Sequence, residues 1–270
     1  MFPLAHSRTA PLSRFLRRFL PLFGLGLLGV ASLPLTFLPM VDAAMLAAYA
    51  PGMSLPMLMV LLLAGPLLTL LVATVIGTVL APHVGLRALT ASAAATPRWK
   101  ELRASAGLSV SLGLALAGIV VAVDRALQPL LPAAWVEAAR MSAQMQDWRT
   151  LAVGLLYGGL TEEITLRWGV MSLLAWLGWK LLGRRDEAVR APVMWGAIVL
   201  AALLFGLGHL PAAAASAPLD TVLVLRTVLL NALAGVVYGW LFWRRHLEAA
   251  MLAHASTHVG FALLRGLGLM

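Results

Sequence analysis

The stretch Gly158 to Gly169 places two adjacent carboxylates, Glu162 and Glu163, and the guanidinium of Arg167 inside a long apolar run. Ionisable groups near a bilayer centre cost several kcal/mol and mark function by default. On an α-helix Glu163 and Arg167 lie one turn apart on one face and can pair. Glu162 points about 100° away from Glu163 and does not compete for that place. One carboxylate is neutralised and the other is free for chemistry. An ion pair that only locks helices together needs a single acid, and a spare acid in a dry site is costly unless it is used or protonated.

Three histidines fall within apolar segments: His209, His254 and His258. His254 and His258 are at i, i+4, so on a helix both rings face one direction. Phe205 stands one turn before His209 and packs against it or shapes the space beside it. Two chemistries fit this set. Glu162 can act as general base on a water that His209 also holds, with His254 and His258 stabilising an oxyanion, which is peptide hydrolysis without metal. Alternatively the histidines and Glu162 bind a divalent metal such as zinc that activates the water. The residues between His254 and His258 are Ala-Ser-Thr and lack the glutamate of the usual zinc-protease helix. Spacing does not choose between the two.

The elements that must hold these residues are membrane helices. Of 270 residues, 61% are hydrophobic and 11% charged, against about a quarter charged in a soluble domain. Several apolar runs reach the roughly 20 residues needed to span a bilayer. The expectation is an all-α polytopic bundle of about seven spans, a single integral-membrane domain over 1–270. Its catalytic core is 150–265 and its N-terminal spans 1–149. The net charge of +9 is not a nucleic-acid signal, because the basic residues lie mostly between apolar runs. The absence of cysteine excludes disulfides, thiol catalysis and Cys-ligated metals.

Along the chain, Arg8, Arg14, Arg17 and Arg18 precede an apolar run from Phe19 to about Met40, read as an uncleaved first span. Asp42 and Pro51 mark a short connection to a second span, about Leu55 to Ala81, kinked at Pro66. A third span covers about Ala106 to Val123. The segment Asp124 to Arg149, with Trp135 and Trp148, reads as an outer connection holding an extra interfacial helix. The fourth span, about Thr150 to Trp179, carries the glutamates. The fifth begins near Pro192 and carries Phe205, His209 and then Pro211. The sixth covers about Thr221 to Trp243 and the seventh about Ala249 to Leu264. Basic connections at the N-terminus and after spans two, four (Lys180, Arg184, Arg185, Arg190) and six place the N-terminus in the cytoplasm. Gly154 with Gly158, and Gly235 with Gly239, allow close helix contacts. Arg226 is expected to snorkel and Asn231 to join helices. Counting rise along spans five and seven leaves His209 and His254 more than about 15 Å apart in depth, which conflicts with a shared site.

Glu-Glu-x-x-x-Arg (Glu162, Glu163, Arg167), then Phe-x-x-x-His (Phe205, His209), then His-x-x-x-His (His254, His258) resembles the ABI/CPBP group of membrane proteins, which includes the type II CAAX prenyl endopeptidases. The resemblance covers about residues 150 to 265, and its last position departs from the asparagine usual in that group. It implies a glutamate-dependent intramembrane endopeptidase with no cofactor, zinc being the alternative. By the same resemblance Glu162 and His209 activate water, Glu163 paired with Arg167 supports the site, and His254 with His258 forms the oxyanion hole. The partners it implies are a membrane-associated protein or peptide substrate and the lipid bilayer, with no nucleic acid. High Ala, Leu and Arg with few Lys points to a GC-rich bacterial genome and the bacterial inner membrane, which makes prenylated substrates a weaker expectation. A non-catalytic immunity or scaffold protein and a proton-coupled transporter are the competing classes; the transporter would favour a repeat architecture, which the sequence lacks.

Overall fold

A computed structural model of the chain describes residues 11–41, 52–91, 98–182 and 188–270. Arg8, the connection containing Asp42 and Pro51, and Arg184, Arg185, Asp186 and Glu187 lie outside the described residues. Helix α1 is Pro11–Ser32, starting earlier than the apolar run and taking in Arg14, Arg17 and Arg18; short turns follow at Pro34–Phe37 and Leu38–Met40. Helix α2 is Leu55–Leu80 and α3 is Arg98–Leu127. Helix α4, Ala133–Met145, answers the expectation of an extra helix in this segment. Helix α5 covers 148–182. It begins as α-helix at Trp148–Val153, is π-helical over Gly154–Glu162 and Ile164–Met171, and ends as α-helix at Ser172–Leu182. Then come α6 (Ala191–Gly208), α7 (Leu210–Ser216), α8 (Thr221–Arg244) and α9 (Leu247–Gly266).

Local sequence explains where these elements start. The side chains of Ser54, Asp147 and Asp220 accept from backbone N–H groups of the first turns of α2, α5 and α8, satisfying donors a helix leaves open. Pro56 and Pro192 sit in the first turn of α2 and α6, where a missing N–H costs nothing. Pro66 and Pro211 act differently. Pro66 is inside α2, and Pro211 follows the break at His209 that separates α6 from α7.

Among the described residues, five helical stretches are long and apolar enough to cross a membrane: 12–37, 55–84, 98–130, 191–216 and 221–244. The two other expected spans, α5 and α9, are not among them; they carry the glutamates, the arginine and two of the histidines. The bundle is organised around α5. Its first π-helical segment packs against α1 and α9, and its second against α2 and α6. Thr161 donates to the Gly26 carbonyl at 2.8 Å, which ties α1 into the centre of the bundle. Helix α9 lies along α3, and α6 lies along α8, where Gly235 and Gly239 face Ala202 and Ile198.

The apparent depth conflict between His209 and His254 disappears because α9 does not start at the edge of the protein. Leu247, Ala249 and Ala250 are fully buried. The 84–91 segment, which follows α2 and has Leu86, Ala88 and Leu89 buried, packs against that end. The Leu247 N–H donates to the Arg87 carbonyl at 3.0 Å. Glu248 accepts from the N–H groups of Leu89 (2.9 Å) and Thr90 (2.8 Å) and from the Thr90 hydroxyl. The His246 ring caps α9 through the Ala249 N–H, so its Nδ1 is an acceptor there. Its 3.2 Å approach to Glu248 is an ion pair when His246 is protonated. Burial opposes the charged form of Glu248, yet the bond from His246 when its Nδ1 carries a proton, with those from Thr90 and the two backbone N–H groups, outweighs it and holds its pKa below the ordinary carboxylate value.

Candidate active site

Three helices, α5, α6 and α9, bring the six expected residues into one region. Glu163 is completely buried, and its Oε1 lies 3.0 Å from Arg167 Nη1, the i, i+4 pair expected from the sequence. That N–H is not aligned as a hydrogen bond, so the contact is charge against charge. Arg167 is 1% exposed. It donates through Nη2 to the Gly235 carbonyl on α8 at 3.3 Å. Its guanidinium lies 4.9 Å from the centre of the Phe205 ring and 5.3 Å from that of Tyr238. A guanidinium over two aromatic faces in a desolvated site is well placed for cation–π attraction.

The same Glu163 oxygen accepts from His254 Nδ1 at 2.8 Å. A carboxylate oxygen can only accept, so the proton is on Nδ1 and a neutral His254 presents a lone pair at Nε2. That Nε2 stands 3.8 Å from Glu162 Oε2. Glu162 keeps 21% of its side chain exposed, in contrast to its neighbour. The Glu163 Oε2 atom has no partner among the described residues. His254 stacks with Tyr238 (4.6 Å between ring centres, 19°) and with His258 (5.1 Å, 15°). Tyr238 donates its hydroxyl to Thr257 at 2.7 Å.

The stacked histidine pair needs room, and two glycines provide it. A Cβ on Gly154 would sit 2.5 Å from His258 Nδ1. One on Gly158 would sit 2.7 Å from His258 Nε2 and 3.2 Å from His254 Nε2. The glycines at i, i+4 on α5 thus face the histidines at i, i+4 on α9.

His209 occupies the break between α6 and α7. Its Nδ1–H donates to the Phe205 carbonyl at 2.8 Å, again leaving Nε2 as an acceptor when neutral. The Phe205 ring contacts both histidines edge-on, at 4.7 Å for His209 and 5.9 Å for His254. A cavity of about 410 Å³ is lined by Glu162, His209, His254 and His258; Glu163 and Arg167 stand behind its wall. A second cavity of about 440 Å³, between α2 and α6, shares Glu162 and His209 with the first.

Two expectations about α8 are corrected. Arg226 does not extend to solvent. Its Nε and Nη2 both reach Asp124 Oδ1 on α3 at 2.7 Å, and it borders the first cavity. Asn231 donates to Thr227 of its own helix at 2.8 Å and lines the cavity, so it does not join two helices. Sequence reasoning missed Tyr238 and Tyr157. Tyr238 contacts both Arg167 and His254. Its signal was present as an aromatic one turn from Gly235 on the span that also carries Asn231.

A family model described as type II CAAX prenyl endopeptidase Rce1-like matches residues 144–260. Over residues 144–260 the chain is therefore similar to that family. All seven motif residues, Phe205 included, fall inside this match, and so do both cavities' polar linings apart from Thr69. The match covers less than half of the chain. Neither a curated protein nor a solved structure gives a significant match to the chain.

Proposed function

We propose that the chain is a glutamic intramembrane endopeptidase in which Glu162 is the general base. The observation that carries this reading is the division of labour between adjacent carboxylates. Glu163 is committed to Arg167 and His254, whereas Glu162 opens onto the cavity with a single ionic neighbour. A water in that cavity gives its proton to Glu162 as its oxygen attacks the scissile carbonyl carbon. His209 Nε2 orients the water by accepting its second O–H.

The tautomer of His254 revises the role that the resemblance implies for it. A neutral His254 accepts at Nε2, so it takes the proton onward from Glu162 and becomes an imidazolium held by Glu163. It then returns that proton to the departing amine as the C–N bond breaks. The pattern is that of a base oriented by a buried carboxylate. His258, whose ring makes no hydrogen bond to a described residue, retains an N–H to offer an oxyanion.

No step here passes through a metal. Chelation tests the alternative in which a divalent metal such as zinc activates the water. The proposed setting is a bacterial inner membrane with the N-terminus cytoplasmic, and the substrate a membrane-associated protein or peptide.

The test is mass spectrometry of new protein N-termini in membranes from cells expressing the wild type or Glu162→Gln. Termini present with the wild type and absent with the variant support proteolysis and define substrates. Identical terminus profiles, with both proteins inserted at equal levels, would refute it in favour of a scaffold.

A further inference from the structure

Four residues line both cavities: Tyr157, Glu162, Phe205 and His209. The first cavity extends toward α8 and α9, the second toward Gly65, Pro66 and Thr69 of α2. A peptide strand running from one to the other passes these four side chains, so they form the throat in which the scissile bond meets Glu162. This step rests on the proteolytic reading above.

His258 lines only the first cavity, so an oxyanion in the throat needs a second hydrogen-bond donor, and counting protons leaves one candidate among the four. Glu162 as a carboxylate only accepts. His209 spends Nδ1–H on the Phe205 carbonyl and offers a lone pair. Phe205 has no polar atom. Tyr157 carries an O–H that makes no hydrogen bond to any described residue. Its place beside Glu162 follows from the backbone. Tyr157 and Glu162 are five residues apart within the π-helical segment Gly154–Glu162, and i→i+5 bonding brings residues at that spacing onto one face.

We propose that Tyr157 is a catalytic residue whose phenolic O–H stabilises the oxyanion of the tetrahedral intermediate. As the water oxygen bonds to the carbonyl carbon, its proton goes to Glu162 and the C=O electron pair moves to oxygen. Tyr157 hydrogen-bonds that oxyanion and keeps its own proton. When the carbonyl re-forms, the C–N bond breaks, its electron pair stays on nitrogen, and the nitrogen receives the proton first taken from water.

The experiment uses purified full-length protein in detergent micelles and a quenched peptide spanning a Glu162-dependent cleavage site. Tyr157→Phe keeps the ring and removes the hydroxyl. The expected result is a fall in kcat of about 10²–10³-fold, the usual cost of one oxyanion donor, with KM within about threefold and an unchanged melting curve. A kcat within about threefold of wild type, while Glu162→Gln abolishes turnover, overturns the proposal and leaves the protease reading intact. Full turnover by Glu162→Gln overturns both. Should the Phe variant fold poorly, 3,5-difluorotyrosine at position 157 keeps ring and donor and makes the hydroxyl more acidic. The alkaline limb of the rate profile then moves to lower pH, and an unmoved limb overturns the proposal.

Discussion

Arg167→Met isolates the energetics on which the site stands. The guanidinium is 1% exposed and is the only cation within reach of Glu163 among the described residues other than a protonated His254. Removing it leaves a fully buried carboxylate with one remaining hydrogen bond, from His254 Nδ1, and one bare oxygen. Breaking a buried pair from one side costs about 3–5 kcal/mol, most of it the penalty of the stranded charge. Loss of the Gly235 bond and the contact with two aromatic rings keeps the figure from falling below about 3 kcal/mol. Glu163→Gln strands the arginine in turn and costs about 3 kcal/mol. The double variant carries no buried charge at either position, so its loss is smaller than the sum by a coupling of about 2 kcal/mol. SDS-driven unfolding of the four proteins in micelles, followed by tryptophan fluorescence, measures each term. A coupling below about 0.5 kcal/mol, or an Arg167→Met protein that unfolds at the wild-type midpoint, would refute the reasoning.

Gly158→Ala pushes a methyl into the His254–His258 stack. Cleavage should fall about 10²-fold, as expected for a displacement near 1 Å, while Gly118→Ala, which faces open space, keeps the wild-type rate in the same assay. Glu248 contributes stability that is fully present above the ordinary carboxylate pKa of about 4.3. That contribution is lost as pH falls through its lowered folded value. The wild-type melting temperature should therefore drop on acidification below about pH 4, and Glu248→Gln should melt lower at pH 7, by about 2 kcal/mol, with a shallower acid decline. Parallel pH–melting curves for the two proteins would contradict this. Cleavage by wild type should persist after dialysis against EDTA; loss on chelation and recovery with zinc would restore the metal alternative.

The parts of the site that depend on neighbours along one helix were legible in the sequence. Glu163 and Arg167 pair at i, i+4, and the rings of His254 and His258 share a direction, because helical period fixes both. The gathering of His209 and His254 followed from the cost of isolated polar groups in lipid. What stayed hidden depends on other helices. The His254–Glu163 bond joins residues 91 positions apart, and no local pattern encodes it. Tyr157 escaped notice because an α-helix turns about 100° per residue, which sets residues five apart about 140° from each other. Only the π-helical widening aligns it with Glu162, in a segment that packs against α1 and α9. Arg226 was misread for a similar reason, since its partner Asp124 ends a different helix. The depth count failed because it took α9 to begin at the membrane edge, whereas the 84–91 segment packs against its start.

The central claim is that Glu162 alone, of the two adjacent acids, takes the proton from water. Single-turnover cleavage by purified Glu162→Gln, at saturating peptide and with metal chelated throughout, tests it most directly. A rate at least about 10²-fold below wild type, from a protein with the wild-type unfolding midpoint, is the predicted result. A rate within about threefold of wild type from the same folded protein would contradict it.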